Sequence, residues 1–197
     1  HGGFIDDLAN SQQLTTLIKD AKNKQYRVCN QTLANRVGIS VEDYVGLTVH
    51  DIGKILHYKK SVVTNTVDMD DRIISGRSDC IRYTQVMPIK DRSIYVDEIV
   101  KKPLFGHQGQ IVGVFGYGRD ITPYIDLMKL FKHYQNHYSI KDAIQFFLNY
   151  LKLTPIFHKL PTRRALEVLL TMRKTANSQY VAKLLKLSPK TVEEHKA

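Results

Sequence analysis

Lys190 and Thr191 have the residue types and the setting to touch a polyanion. They follow Ser188-Pro189, and a Ser N-cap with Pro at the first helical position opens a helix at that point. A cation and a hydroxyl in the first turn of such a helix reach phosphate oxygens and base edges when the helix lies in a major groove. Glu194 and Lys196 follow on the same helix. Ser178 and Gln179 open the preceding helical segment, where a side chain and a backbone amide hold a phosphate. Arg163 and Arg164 add two cations for backbone contacts. Lys and Arg exceed Asp and Glu by 3 over residues 1–150 and by 7 over residues 151–197, which together make the net charge of +10. The excess lies where these residues lie, and there it favours phosphate contacts over a merely solvated face.

Bond-making chemistry has no comparable signature. The acidic pairs Asp6-Asp7, Asp70-Asp71 and Asp97-Glu98 are neighbours in sequence. Neighbours do not face one site on a helix or a strand, so these six carboxylates are expected at the solvated surface. No Ser/His/Asp triad pattern, P-loop or HExxH occurs. Gly113, Gly116 and Gly118 form a glycine-rich run, but inside a strand pattern that opens no helix, so it is not a phosphate cradle. Cys29 and Cys80 fit no metal spacing, and two cysteines suit a reducing cytoplasm. His50 and His57 read as polar surface. No apolar run approaches the roughly 18–20 residues that a membrane span needs. A non-enzymatic, cytoplasmic protein that does not enter a membrane is therefore expected.

Three blocks of elements must position these residues. Residues 8–122 alternate strand-like and helix-like runs in an α+β order. Leu14–Ile18 and Gln25–Cys29 read as a hairpin, and short helical stretches follow from Asn30. Ser40 with Asp43 reads as a capping box. Helices are expected over Thr48–Tyr58 and Ser61–Ser75, then strands over Cys80–Ile89, Ser93–Leu104 and Gln110–Tyr117. Residues 123–155 form a helical connector. Thr122-Pro123 predicts its N-cap and first turn, and Tyr124, Leu127, Met128, Phe131, Tyr134 and Tyr138 give an apolar stripe. Ser139 with Asp142 reads as a second capping box, opening a helix with Ile140, Ile144, Phe147, Leu148 and Leu151. That much apolar surface predicts packing shared between the preceding sheet and a second protomer. Residues 156–197 hold three short helices, expected to share a core of Leu166, Leu169, Leu170, Val181, Leu184, Leu185 and Val192.

The last block resembles the LuxR/GerE-type helix-turn-helix of bacterial transcription factors. Arg164 with Glu167-Val168-Leu169, Val181-Ala182, Leu185, Leu187-Ser188 and Lys190-Thr191-Val192 with His195 carry the resemblance. It departs at Ala165, at Tyr180 and at Lys186, which stands where the family has the Gly of its turn. A Lys there is compatible with the turn if its φ stays negative. The resemblance implies a longer recognition helix and a fourth helix beyond Ala197, so a longer protein is expected. It also implies double-stranded DNA as partner and a homodimer.

Residues 13–122 resemble a PAS domain through Ile18-Lys19-Asp20, Val37-Gly-Ile-Ser40, Ile74-Ser-Gly76 and the closing Gly109–Thr122 strand with its Arg119-Asp-Ile-Thr122. The resemblance implies a sensor whose state leaves through Asp120 and Thr122. Its flavin-binding kind carries Asn before Cys at a helix start, whereas Cys29-Asn30 stands in the reverse order at a strand end. Its haem-binding kind places a His where this chain has Arg72, which cannot ligate iron. Haem and flavin are therefore disfavoured. A small organic molecule in the cup remains open, with Tyr26, Cys29, Tyr83 and Tyr117 as candidate walls. Taken together, the residues predict a signal-responsive regulator of transcription. A dimerisation module with a protein-binding C-terminus and an enzyme controlled by its own PAS unit are the alternatives.

Overall fold

The computed structural model describes residues 14–195, and the chain divides into two compact units at Pro123/Tyr124. Asp6, Asp7 and Lys196 lie outside the described residues.

The first unit is a five-stranded antiparallel sheet in the order β2-β1-β5-β4-β3, with four helices inserted between its second and third strands. The strands are β1 (Leu14–Asp20), β2 (Tyr26–Cys29), β3 (Ile81–Pro88), β4 (Ile94–Phe105) and β5 (Ile111–Asp120). The Asp20 carboxylate closes the first hairpin by accepting from the amides of Lys22 and Asn23 at 2.8 and 3.2 Å. The inserted helices are α1 (Gln31–Val37), α2 (Val41–Tyr44), α3 (Val49–Ile55) and α4 (Lys60–Ile74). Each of the first three is capped by a side chain, that of Asn30, Ser40 or Thr48. Only Thr48 with Asp51 closes a reciprocal capping box, whereas Ser40 with Asp43 makes the forward bond alone.

One expectation about this unit is corrected. Asp70 and Asp97 are buried and ion-paired, while their neighbours Asp71 and Glu98 pair with Lys24 and Arg119 at the surface. Consecutive side chains point to opposite faces on the strand that carries Asp97 and Glu98, and stand about 100° apart on the helix that carries Asp70 and Asp71. Either offset places one of each pair inside. The glycine run, in turn, marks close approach of β1 to β5. A Cβ on Gly113 would strike the Lys19 carbonyl, and one on Gly118 would meet the Thr15 hydroxyl at 2.7 Å.

The second unit is all helical: α5 (Leu127–His137), α6 (Ile140–Tyr150), α7 (Arg163–Met172), α8 (Ser178–Leu185) and α9 (Pro189–Glu194). Thr122–Tyr124 forms a single 3₁₀ turn, and Asp126, not Thr122, caps α5. Ser139 caps α6 through the Asp142 amide, but the Asp142 carboxylate meets the Ser139 hydroxyl and not its backbone. The apolar stripe of α5 is covered by α6. Phe131 and Tyr134 pack on Phe147 with ring centroids 5.2 and 5.5 Å apart, and Leu130 joins them in the core. Tyr124 and Ile140 stay exposed.

Helices α7 to α9 close around Val168, Val181, Ala182 and Val192, with Met172, Leu185 and Leu187 at the margin. Leu169 and Leu184, expected inside, are 38% and 54% exposed. The arc of each helix that faces inward is set by Val168 and by Val181-Ala182, and the bulkier leucines beside them fall outside it.

Candidate functional site

The inner face of the sheet and helices α1, α3 and α4 enclose a cavity of about 70 Å³. Sheet periodicity builds its floor: Thr15, Leu17 and Lys19 of β1, Tyr83, Gln85 and Met87 of β3, and Asp97, Ile99 and Lys101 of β4 alternate inward. Tyr26 and Tyr117 line it as well, so three of the four sequence candidates meet there. Cys29 does not. It packs with Tyr26, Leu33, Val37 and Tyr44 in the core beside the cavity, where burial pushes its thiol up to about 11.

The charged lining went unnoticed in the sequence. Asp70 of α4 bridges two lysines, with Oδ2 2.6 Å from the Lys19 ammonium and Oδ1 2.5 Å from that of Lys101. All three are almost fully buried. The two ammonium groups hold the Asp70 carboxyl below its ordinary value against its burial. Burial and the neighbouring Lys19 push Lys101 down to about 8. Lys19 moves the other way, because Tyr26 and Asp70 outweigh its burial, and its ammonium stands 4.6 Å from the centre of the Tyr26 ring. At the other end of the inward row of β4, Arg36 of α1 donates to Asp97 Oδ2 and stacks 4.5 Å from the Tyr95 ring. Burial pushes the Asp97 carboxyl up, opposed by that guanidinium. Its other oxygen, Oδ1, is buried and has no hydrogen-bond partner among the described residues. The legible signal was period: Lys19 falls two residues after Leu17, Lys101 four after Asp97, and Asp70 four after Thr66 on α4.

The route out of this cup is short. Asp97 pairs with Asp120 in the β4/β5 register. Asp120 Oδ1 accepts from the Thr122 amide at 2.8 Å, and the Thr122 hydroxyl accepts from the Val96 amide at 2.9 Å. Both residues singled out for coupling therefore sit one rung from the cavity wall.

In the helical unit, α8 and α9 are joined by a tight turn. Asn177 caps α8 and Ser188 caps α9, accepting from the Thr191 amide at 3.0 Å. Lys186, at the end of α8, takes φ +53°, so the condition of a negative φ for a Lys at this turn is not met. Leu187 N–H returns to the Ala182 carbonyl at 2.9 Å and closes the turn. Lys190, Gln179 and Glu194 are exposed. Thr191 is half-buried, and its hydroxyl lies 2.8 Å from that of Ser188. Ser178 is engaged within the fold, donating to Glu193 across the pair. Arg163 and Arg164 are engaged too, at 2.8 and 2.7 Å from the two oxygens of Glu167. Among the described residues there is no group of three or more His, Cys, Asp or Glu that could hold a metal ion, and no helix long and apolar enough to cross a membrane.

A family model described as the PAS fold matches residues 8–123. No curated protein matches the chain. Among solved structures, a ligand–DNA complex of Vibrio cholerae VqmA matches with a TM-score of 0.54 at 20% identity, over 98% of this chain and 76% of that one. The VqmA dimer without target DNA, placed among LuxR-type receptors, gives 0.51 at 20% identity and the same coverages. The PAS domain of Bordetella pertussis BvgS gives 0.50 at 12% identity, over 66% of this chain and 93% of that one. At such identities the likeness is one of fold. The family match spans more than half of the chain, which places it among proteins of the PAS fold; to that family it belongs.

Proposed function

We propose that this chain is a bacterial, signal-responsive transcriptional regulator of the cytoplasm. In this reading a PAS sensor (8–122) and a helical connector (123–155) control a LuxR-type helix-turn-helix (156–197) that binds double-stranded DNA as a homodimer. The observation that carries it is the α8–turn–α9 pair, which exposes Lys190 in the first turn of a Ser-capped, Pro-started helix in the more basic part of the chain. Gln179 and Glu194 are exposed beside it, and Lys196 extends the same basic segment. Thr191 reaches DNA by giving up its bond to Ser188, and Ser178 by releasing Glu193. VqmA, similar along its whole matched length, is itself described in complex with ligand and DNA. Asp120 and Thr122 carry the sensor's state, since they tie the last residues of β5 to the cavity-lining strand β4. A ligand acts there only by binding two arrangements of that exit unequally. The reading includes no catalysis.

Anisotropy titrations of a labelled duplex at several salt concentrations test this. A steep fall in affinity with salt is expected, and Lys190→Ala reduces the slope by about one. A flat salt response overturns the reading. The second reading, a PAS-mediated dimerisation module whose C-terminus binds protein, is favoured by one observation: Tyr180 and Leu184 stand exposed on α8. Binding of DNA that survives Tyr180→Ser with Leu184→Ser, together with the steep slope, removes it.

A further inference from the structure

Five charged side chains stand in or against the cavity, and their charges do not cancel. Arg36 and Asp97 neutralise one another. Lys19 and Lys101 share the single carboxylate of Asp70, which leaves one positive charge over. The groups facing Lys101 are Lys19 of β1, Tyr83 of β3, and Asp70 with the Thr66 carbonyl of α4, while Tyr26 of β2 faces Lys19. Tyr83, the tyrosine that faces Lys101, does not supply the missing anion. Burial drives the hydroxyls of Tyr44, Tyr58 and Tyr83 well above their ordinary value, and the Cys29 thiol is likewise held neutral. An unmatched charge in so dry a place is costly, so it marks a position where an anion belongs. At the other end of the same row of inward residues, Asp97 Oδ1 is a buried acceptor to which no described residue donates. The space between is small. Its 70 Å³ is about half of the roughly 150 Å³ cavity that takes benzene, which limits an occupant to a handful of heavy atoms.

We propose that the cup binds a short hydroxycarboxylate, with its carboxylate on Lys101 and Lys19 and its hydroxyl donating to Asp97. This rests on the reading of the PAS unit as a chemical sensor and names the class of its ligand. The carboxylate completes the charge balance around Asp70. The hydroxyl places the ligand against the one cavity residue that pairs with Asp120 and so reaches the exit of β5. Binding retains the Lys101 proton, so affinity falls as pH rises above about 8.

The test is calorimetry on the whole 197-residue chain with three probes of nearly equal size: DL-lactate, propionate and lactamide. Lactate is expected to bind. Propionate, lacking the hydroxyl, should bind about tenfold more weakly, and lactamide, lacking the charge, about a hundredfold more weakly. Lys101→Met leaves Lys19 and Asp70 as a one-to-one pair, so it should fold with an undiminished melting temperature and lose the response to lactate. Should that variant fail to fold, the wild-type pH series decides, with tenfold weaker lactate binding at pH 9.5 than at pH 7.5. Equal binding of lactamide and lactate overturns the proposal, as does the absence of heat with both acids at tens of millimolar. Native mass spectrometry that finds an uncharged molecule in the cup also overturns it, while leaving the sensor reading intact.

Discussion

Lys186 holds a backbone conformation that its Cβ resists. At φ +53° it is a non-glycine residue in the left-handed region, at the turn between α8 and α9. Lys186→Gly relieves that strain at the cost of a freer unfolded chain, and a net gain of about 1 kcal/mol is expected in urea unfolding of the helical unit. The nearby Lys190→Ala is expected to leave stability within about 0.5 kcal/mol, because the side chain is exposed and surface substitutions seldom cost more. On the proposed reading its effect belongs to DNA affinity. Residues of this kind were legible from type and spacing, since Ser188-Pro189 fixes the helix start and thereby which side chains stand in its first turn. The buried ions left only their period in the sequence, and nothing that names their partners. Asp70 and Asp97 look like any surface acid until the partner is known, and their partners lie 51 residues away at Lys19 and 61 away at Arg36. No local rule spans such distances.

At the level of elements, the end of β5 is tied to Val96 twice, by the Ile121 N–H donating to the Val96 carbonyl at 2.8 Å and by the Thr122 hydroxyl. Thr122→Val keeps the shape of the side chain but removes the acceptor from the buried Val96 amide, at a cost of about 1–3 kcal/mol. The same variant should also blunt any effect of ligand on DNA binding, since one of the two bonds that tie Val96 to the exit is lost. Hydrogen exchange at the Val96 amide reads the first effect and anisotropy the second. Gly113→Ala forces a methyl against the Lys19 carbonyl, so β1 or β5 must shift, and a loss of about 2 kcal/mol in chemical denaturation is expected. Most strand and helix positions followed from pattern, while ends moved by a few residues. The start of the connector moved furthest. Thr122-Pro123 has the form of a cap, yet the Thr122 hydroxyl is already spent on Val96, and the helix waits for Asp126.

For the whole molecule, stability is expected to carry a signature of the crowded lysines. Lys101 is depressed to about 8 in the folded chain against an ordinary value of 10.5. Between those values the unfolded chain binds the proton that the folded chain has lost, so stability rises with pH across the window. Lys19 is raised, and its contribution is present below 10.5 and disappears only above it. Denaturation of the ligand-free wild type at pH 7.5 and 10, set against Lys101→Met, isolates the effect. The wild type gains relative to the variant as pH rises, and no relative gain would mean that the lysine keeps its proton.

β5 is bonded along both sides, from Leu14↔Arg119 to Asp20↔Gly113 on β1 and from Asp97↔Asp120 to Phe105↔Ile111 on β4. Sliding such a strand by one residue would turn every inward side chain outward, so it is barred from creeping. A message from the cup thus has no graded path down the middle of the sheet. On the proposed sensor reading it would leave as a yes-or-no event at the final rung, and the response of this molecule to a rising dose should then be set by how many copies have switched, with no copy caught halfway.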